Sequence, residues 1–200
     1  EIPPDLRRQW IQGTGPAAKP NATVETSIRN VAYALLSGAD GWMFDGEDAL
    51  GQVSTMSLDN QRNLKLAIHR DAVFLKVAEK VAADMNRWAQ EFFGRPIIGD
   101  WTKQLDFTTK IFRARGLHLD DRHVRHANGA GFSASIVDAT LYIVNNHREM
   151  RRRGASLVLY LPKIQTAEEA ALWNDVLTAL EQHLGLPVGN RDVGRLHGIA

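Results

Sequence analysis

Gly41-Trp42-Met43-Phe44-Asp45-Gly46-Glu47-Asp48 is the stretch on which the fold class turns. An apolar run without polar alternation stops abruptly at a cluster of acids. A strand covered on both faces reads this way, because helices shield both sides of a parallel sheet. Upstream, Val24, Ile28, Val31, Ala32, Leu35 and Leu36 share one helical face, and Gly38 stands where a C-cap belongs. Downstream, residues 57–70 carry a second helical pattern through Leu64, Ala67 and Ile68. A longer amphipathic stretch follows, with Val73, Val77, Val81, Met85, Trp88 and Phe92 as its expected apolar face, closed by Gly94 and Pro96.

The same alternation continues. Lys110-Ile111-Phe112-Arg113-Ala114-Arg115 is the next strand, opening into a polar loop from Gly116. Residues 134–150 form a helix on Ile136, Ala139, Tyr142 and Ile143, ending in the cations Arg151, Arg152 and Arg153. Leu157-Val158-Leu159-Tyr160-Leu161 is a fully buried strand ending at Pro162-Lys163. Thr166 with Glu169 three residues later is a capping box. The helix it opens uses Leu172, Trp173, Val176, Leu177 and Leu180 and runs to Gly185. A short strand ending near Gly13 completes the order. Apolar strands alternating with amphipathic helices predict an α/β fold with a parallel sheet, about four βα units long. Residues 1–22 are the lead-in with its short strand, 23–189 form one domain, and 190–200 are a tail without a strand pattern.

Composition narrows the partners. Hydrophobic residues at 44% and charged residues at 24% are ordinary for a globular chain and exclude wholesale disorder. A formal net charge of +1 gives no field to gather nucleic acid or anionic membrane. The absence of cysteine removes disulfides, thiolate catalysis and Cys-ligated metal, and suits a reducing compartment, so the expected location is cytoplasmic. No segment approaches the roughly 18–20 apolar residues of a membrane span. Because the first residue is Glu1 rather than Met, the native N-terminus is expected to lie outside this sequence.

Sites in parallel α/β folds sit at the C-terminal ends of strands. Here those ends present Asp45, Glu47 and Asp48, then Arg113 and Arg115, then Lys163. Carboxylates facing cations at one rim suit an anionic substrate handled with a hard divalent cation such as magnesium. The plainer alternative is a rim of salt bridges. His118, His123 and His126, with Asp120 and Asp121 among them, could ligate a transition metal or form a solvated polar loop. They match no zinc spacing, and the loop is preferred. Arg148 with Arg151, Arg152 and Arg153 lacks the interleaved aromatics of a nucleic-acid surface and reads as a solvated helix end.

These motifs, in this order, resemble malate synthase of the compact bacterial and plant type. Ile2-Pro3-Pro4-Asp5-Leu6 and Thr14-Gly15-Pro16 resemble the family's approach to its barrel, and Trp42 to Asp48 its acidic strand end. Asn63-Leu64-Lys65-Leu66-Ala67-Ile68 follows. The most telling match is Arg113-Ala114-Arg115-Gly116-Leu117-His118-Leu119 with His123-Val124 behind it. Tyr160-Leu161-Pro162-Lys163, Leu172-Trp173-Asn174-Asp175-Val176 and Leu186-Pro187-Val188-Gly189 complete the series. The likeness covers most of residues 2–71 and 109–189; residues 72–108 and 190–200 depart from it.

The resemblance implies part of a (β/α)8 TIM barrel, about its first half. It implies a Claisen condensation of acetyl-CoA with glyoxylate, then thioester hydrolysis to malate and CoA, a step of the glyoxylate cycle. Arg113 takes the position of the family's catalytic arginine. Asp45 and Glu47, with Asp48 beside them, take positions in the outer shell of a magnesium site or near substrate. Lys65 falls where a CoA phosphate contact would be, and Arg115 and Lys163 lie at the rim without an assigned role. The family's direct magnesium ligands and its general base have no counterpart here. The expectation is therefore a truncated or frame-shifted chain that is inactive alone. The alternatives are a CoA-ester lyase of the citrate lyase β or malyl-CoA lyase kind, and a non-catalytic half-barrel remnant. An open half-barrel leaves sheet edges uncovered, so self-association is also expected.

Overall fold

The computed structural model describes residues 10–13, 24–46, 54–188 and 197–199. The first strand, β1, spans Trp10–Gly13, and helix α1 spans Val24–Leu36. Strand β2 (Gly41–Asp45) leads to helices α2 (Ser54–Ile68), α3 (Ala72–Phe93) and α4 (Trp101–Phe107). Strands β3 (Thr109–Arg113), β4 (Asp120–Arg125) and β5 (Gly131–Ser133) precede helix α5 (Ala134–Arg152). Strand β6 (Val158–Tyr160), helix α6 (Ala167–His183) and strand β7 (His197–Ile199) complete the order. The main sheet has the strand order β1-β2-β3-β6-β7, and β4 pairs with β5 separately. It does not close on itself among the described residues, which suits the expected part of a barrel.

The chain divides into two compact units: 1–44 with 58–110, and 45–57 with 111–200. In the first unit β1 runs parallel to β2, with Trp10 opposite Gly41 and Gly13 opposite Phe44. The backbone N–H of Thr109 donates to the Asp40 carbonyl at 2.9 Å. Helix α1 packs against α3 and α4. Ile28, Val31, Ala32 and Leu35 are fully buried, as the periodicity predicts, and Gly38 adopts φ +80°, the left-handed geometry that lets the chain leave a helix. Trp42 and Phe44 of β2 and Leu105 of α4 join this core.

Helix α3 corrects the expected face. Val77 and Val81 are buried, but with Phe74, Ala78, Ala82 and Ala89, while Val73, Trp88 and Phe92 are exposed. Each four-residue step overshoots a full turn by about 40°, so a stripe extended by repeated fours walks round the cylinder. The Asp71 carboxylate caps the helix start by accepting from the Val73 N–H at 2.9 Å, and Gly94 closes its end at φ +70°.

In the second unit β3 pairs in parallel with β6, and β6 with β7. Leu157, Val158, Leu159 and Leu161 are all buried, as a parallel strand covered on both faces requires. Phe112 stacks on Tyr142 of α5 at 4.4 Å between ring centroids and 7° between planes. The capping box is present: the Glu169 N–H donates to Thr166 Oγ1, and Glu169 Oε2 accepts from the Thr166 N–H. Of the apolar residues expected to bury α6, only Trp173 is fully buried among the described residues.

Two readings of this half change. The polar loop after Gly116 contains an antiparallel hairpin, β4–β5. Its strands carry almost no apolar alternation because residues 122–130 face water throughout. The tail that lacked a strand pattern contributes β7, whose His197 to Ile199 align with Val158 to Tyr160. Three residues are too few to show any period.

Candidate active site at the strand ends

Asp45 closes β2 and Arg113 closes β3. The Gly46 N–H donates to the Arg113 carbonyl at 2.9 Å, so the two strand ends are tied through the backbone first. Their side chains then meet: Arg113 Nη1 donates to Asp45 Oδ2 at 2.8 Å, with the side chains only 10% and 3% exposed. On its other side the Arg113 guanidinium lies 5.3 Å from the centroid of the Tyr160 ring. Tyr160 ends β6 and stands opposite Arg113 in the parallel register. The guanidinium is thus held between a carboxylate from one neighbouring strand and an aromatic face from the other. A planar, permanently charged fork with several N–H donors can bind developing negative charge without losing a proton.

Arg115 faces a different set of partners. Its Nε and Nη2 donate to both oxygens of Asp138 on α5, each at 2.8 Å, and Nη2 also donates to Asp121 Oδ2 at 2.6 Å. The Asp121 carboxylate accepts further from the backbone N–H groups of His123 at 2.7 Å and Val124 at 2.8 Å. Burial would raise the Asp121 pKa, but those amides and Arg115 outweigh it and hold the carboxyl below its ordinary value. Burial pushes Asp138 up in spite of Arg115. Burial also disfavours charge on Arg115, yet the two carboxylates outweigh it and keep the guanidinium protonated.

Lys163 is exposed in the turn after β6 with φ +57°, an uncommon geometry for a side chain other than glycine. Lys65 is exposed on α2 of the first unit. Glu47 and Asp48 lie outside the described residues, as do the Ile2–Leu6 and Thr14–Pro16 motifs. Among the described residues, no three acidic or histidine side chains gather as a metal site, and the 118–126 histidines are no exception. Asp45 spends one oxygen on Arg113. The described residues alone therefore do not fit a magnesium ion, which wants near-octahedral oxygen ligation. Of the terminal basic cluster, Arg152 and Arg153 both pair with Glu149, which supports the solvated helix end. Sequence reading missed Tyr160 and Asp138, whose partners are distant in the chain, and the pairing of Asp121 with Arg115 six residues before it, which no helix or strand period signals.

A family model described as "Malate synthase, TIM barrel domain" matches residues 109–196, which include Arg113, Arg115 and Tyr160. Most of the chain is similar to malate synthases. It is 30% identical to a malate synthase of Dictyostelium discoideum over 188 residues, covering 94% of this chain and 29% of the relative. Malate synthase A of Escherichia coli is 28% identical, with 94% and 30% covered. A glyoxysomal malate synthase of Cucurbita maxima is 28% identical, with 94% and 29% covered. The chain thus spans about 30% of the length of these relatives. The family match also runs past Gly189 to Leu196, into the segment where the resemblance was expected to end. No helix among the described residues is long and apolar enough to cross a membrane.

Proposed function

We propose that these residues form part of an acyltransferase of the malate synthase type, which joins the methyl carbon of acetyl-CoA to the aldehyde carbon of glyoxylate and then hydrolyses the thioester to malate and CoA. The observation that carries the reading is the buried Asp45–Arg113 pair at adjoining strand ends, with Arg113 inside the malate synthase match. When a base takes a methyl proton, negative charge moves onto the thioester oxygen, and a fixed guanidinium there lowers the barrier. Arg113 is the group assigned to that oxygen. Asp45 holds the guanidinium in place and neutralises it in the resting site, with Glu47 and Asp48 assigned to the polar shell beside it. Lys65 is assigned to a CoA phosphate. Any magnesium and its direct ligands, like the base, are assigned to residues outside these 200. The proposed setting is cytoplasmic; the Cucurbita maxima relative is named glyoxysomal, so cell fractionation is the check.

The test is glyoxylate-dependent CoA release by the complete gene product, as wild type and as Arg113→Lys. A loss of about a hundredfold or more in kcat is expected for the variant, because lysine cannot reproduce the fork. Cleavage of malyl-CoA or citryl-CoA without condensation would overturn the reading in favour of a lyase. The 200 residues alone are expected to release no CoA, and turnover by them would refute the assignment of the base elsewhere.

A further inference from the structure

Arg115 stands two residues beyond the candidate catalytic arginine, yet it joins three separate pieces of chain. It follows the end of β3, grips Asp138 on the second turn of α5 with both prongs, and grips Asp121 at the base of the hairpin. Its own backbone N–H also donates to Asp138 Oδ2 at 3.1 Å. The stitching around it is dense: Ser133 Oγ donates to the Leu117 carbonyl, and the Ala134 N–H donates to the Leu119 carbonyl at 2.7 Å. All three side chains of the triad are nearly dry, at 12%, 3% and 6% exposure. One guanidinium lies between two buried carboxylates, and the Asp121 carboxylate also accepts from the His123 and Val124 amides. The hairpin beyond the triad is exposed, so its base is the place where it is held.

We propose that Arg115 is a positioning residue: it clasps the β4–β5 hairpin and the start of α5 to the end of β3, and thereby fixes the aim of Arg113. The part concerning Arg113 rests on the functional reading above. The clasp itself rests on geometry alone. Arg113 is separated from Arg115 by Ala114, which is buried. Slack at Arg115 therefore reaches Arg113 through one intervening residue. A displacement of an ångström at a charge-stabilising group can cost about a hundredfold in rate.

The test uses Arg115→Lys, which keeps the charge but loses the fork, and Asp121→Asn, a near-isosteric change that weakens one grip. Hydrogen exchange is measured on the 200-residue chain and kinetics on the complete gene product. The expected result is at least about tenfold faster exchange at the His123, Val124 and Ala134 amides, with α6 amides unchanged. kcat is expected to fall about tenfold or more, with KM for acetyl-CoA and the pH profile unmoved, and less for Asp121→Asn than for Arg115→Lys. Wild-type exchange at those three amides would overturn the clasp. Faster exchange with kcat unchanged would overturn its positioning role. If Arg113→Lys itself leaves kcat intact, the functional reading fails instead, and the exchange data still decide the clasp.

Discussion

Replacing Asp45 by asparagine tests the centre of the candidate site. The change is nearly isosteric, so no cavity opens, and the new amide oxygen can still accept from Arg113. What is removed is the negative charge. Two unit charges about 4 Å apart attract by about 4 kcal/mol at an effective dielectric near 20. Removing one partner of a buried pair leaves the other uncompensated, at a typical cost of about 3–5 kcal/mol. With both side chains at least nine-tenths shielded, Asp45→Asn should cost that range rather than the about 0–1 kcal/mol of a surface bridge. For a chain of this size, that corresponds to a fall in Tm on the order of 10 °C. Urea unfolding of wild type, Asp45→Asn, Arg113→Met and the double variant would measure it. The double variant should be more stable than the sum of the single losses predicts, by about 2 kcal/mol or more. A cost for Asp45→Asn under about 1 kcal/mol, with coupling under about 0.5 kcal/mol, would refute the claim that the pair is buried and mutually compensated.

Three further outcomes follow from local geometry. The Arg152 and Arg153 guanidiniums hold the Glu149 carboxyl down at about 2 against an ordinary 4.5. Its contribution to stability is present above pH 4.5 and lost as pH falls towards 2, so Arg152→Gln with Arg153→Gln should flatten acid unfolding in that window; solvent screening keeps the effect small. A Cβ at Gly131 would lie 2.6 Å from the Asp121 carbonyl oxygen and 2.8 Å from the Asp120 Cβ. Gly131→Ala should therefore push β5 off β4 and cost about 1–3 kcal/mol, read by urea unfolding. Thr166→Ala removes half of the capping box and should cost about 1 kcal/mol in the same assay.

What the sequence discloses is what local physics determines. The capping box at Thr166, the left-handed Gly38 and the doubly buried run around Leu159 each depend on a few adjacent residues, and each is found where expected. The placing of acids and arginines at strand ends was legible because an apolar run ending in charge has few other solutions. The pairing of Asp45 with Arg113 was not, since 68 residues separate them and the sheet order decides who meets whom. Likewise nothing near Arg115 announces Asp138, 23 residues on. The hairpin escaped notice because Asp120-Asp121-Arg122-His123-Val124-Arg125 is a strand held by a buried carboxylate rather than by apolar alternation. The seven-residue α4 escaped because its start depends on the Asp100 carboxylate, which accepts from the Thr102 and Lys103 N–H groups.

The burial of Trp42 in one unit and Trp173 in the other gives each half its own optical reporter. An indole in a dry core emits to the blue, and it shifts to the red when water reaches it. Trp88, half-exposed on α3, would supply mainly a water-like background, so replacing it and the remaining tryptophans at 10 and 101 leaves two single-probe proteins. Coincident melting of the two would mean that neither half stands without its neighbour. Separate transitions would mean that the barrel segment is assembled from two independently cooperative pieces, with the candidate arginine seated in the half reported by Trp173.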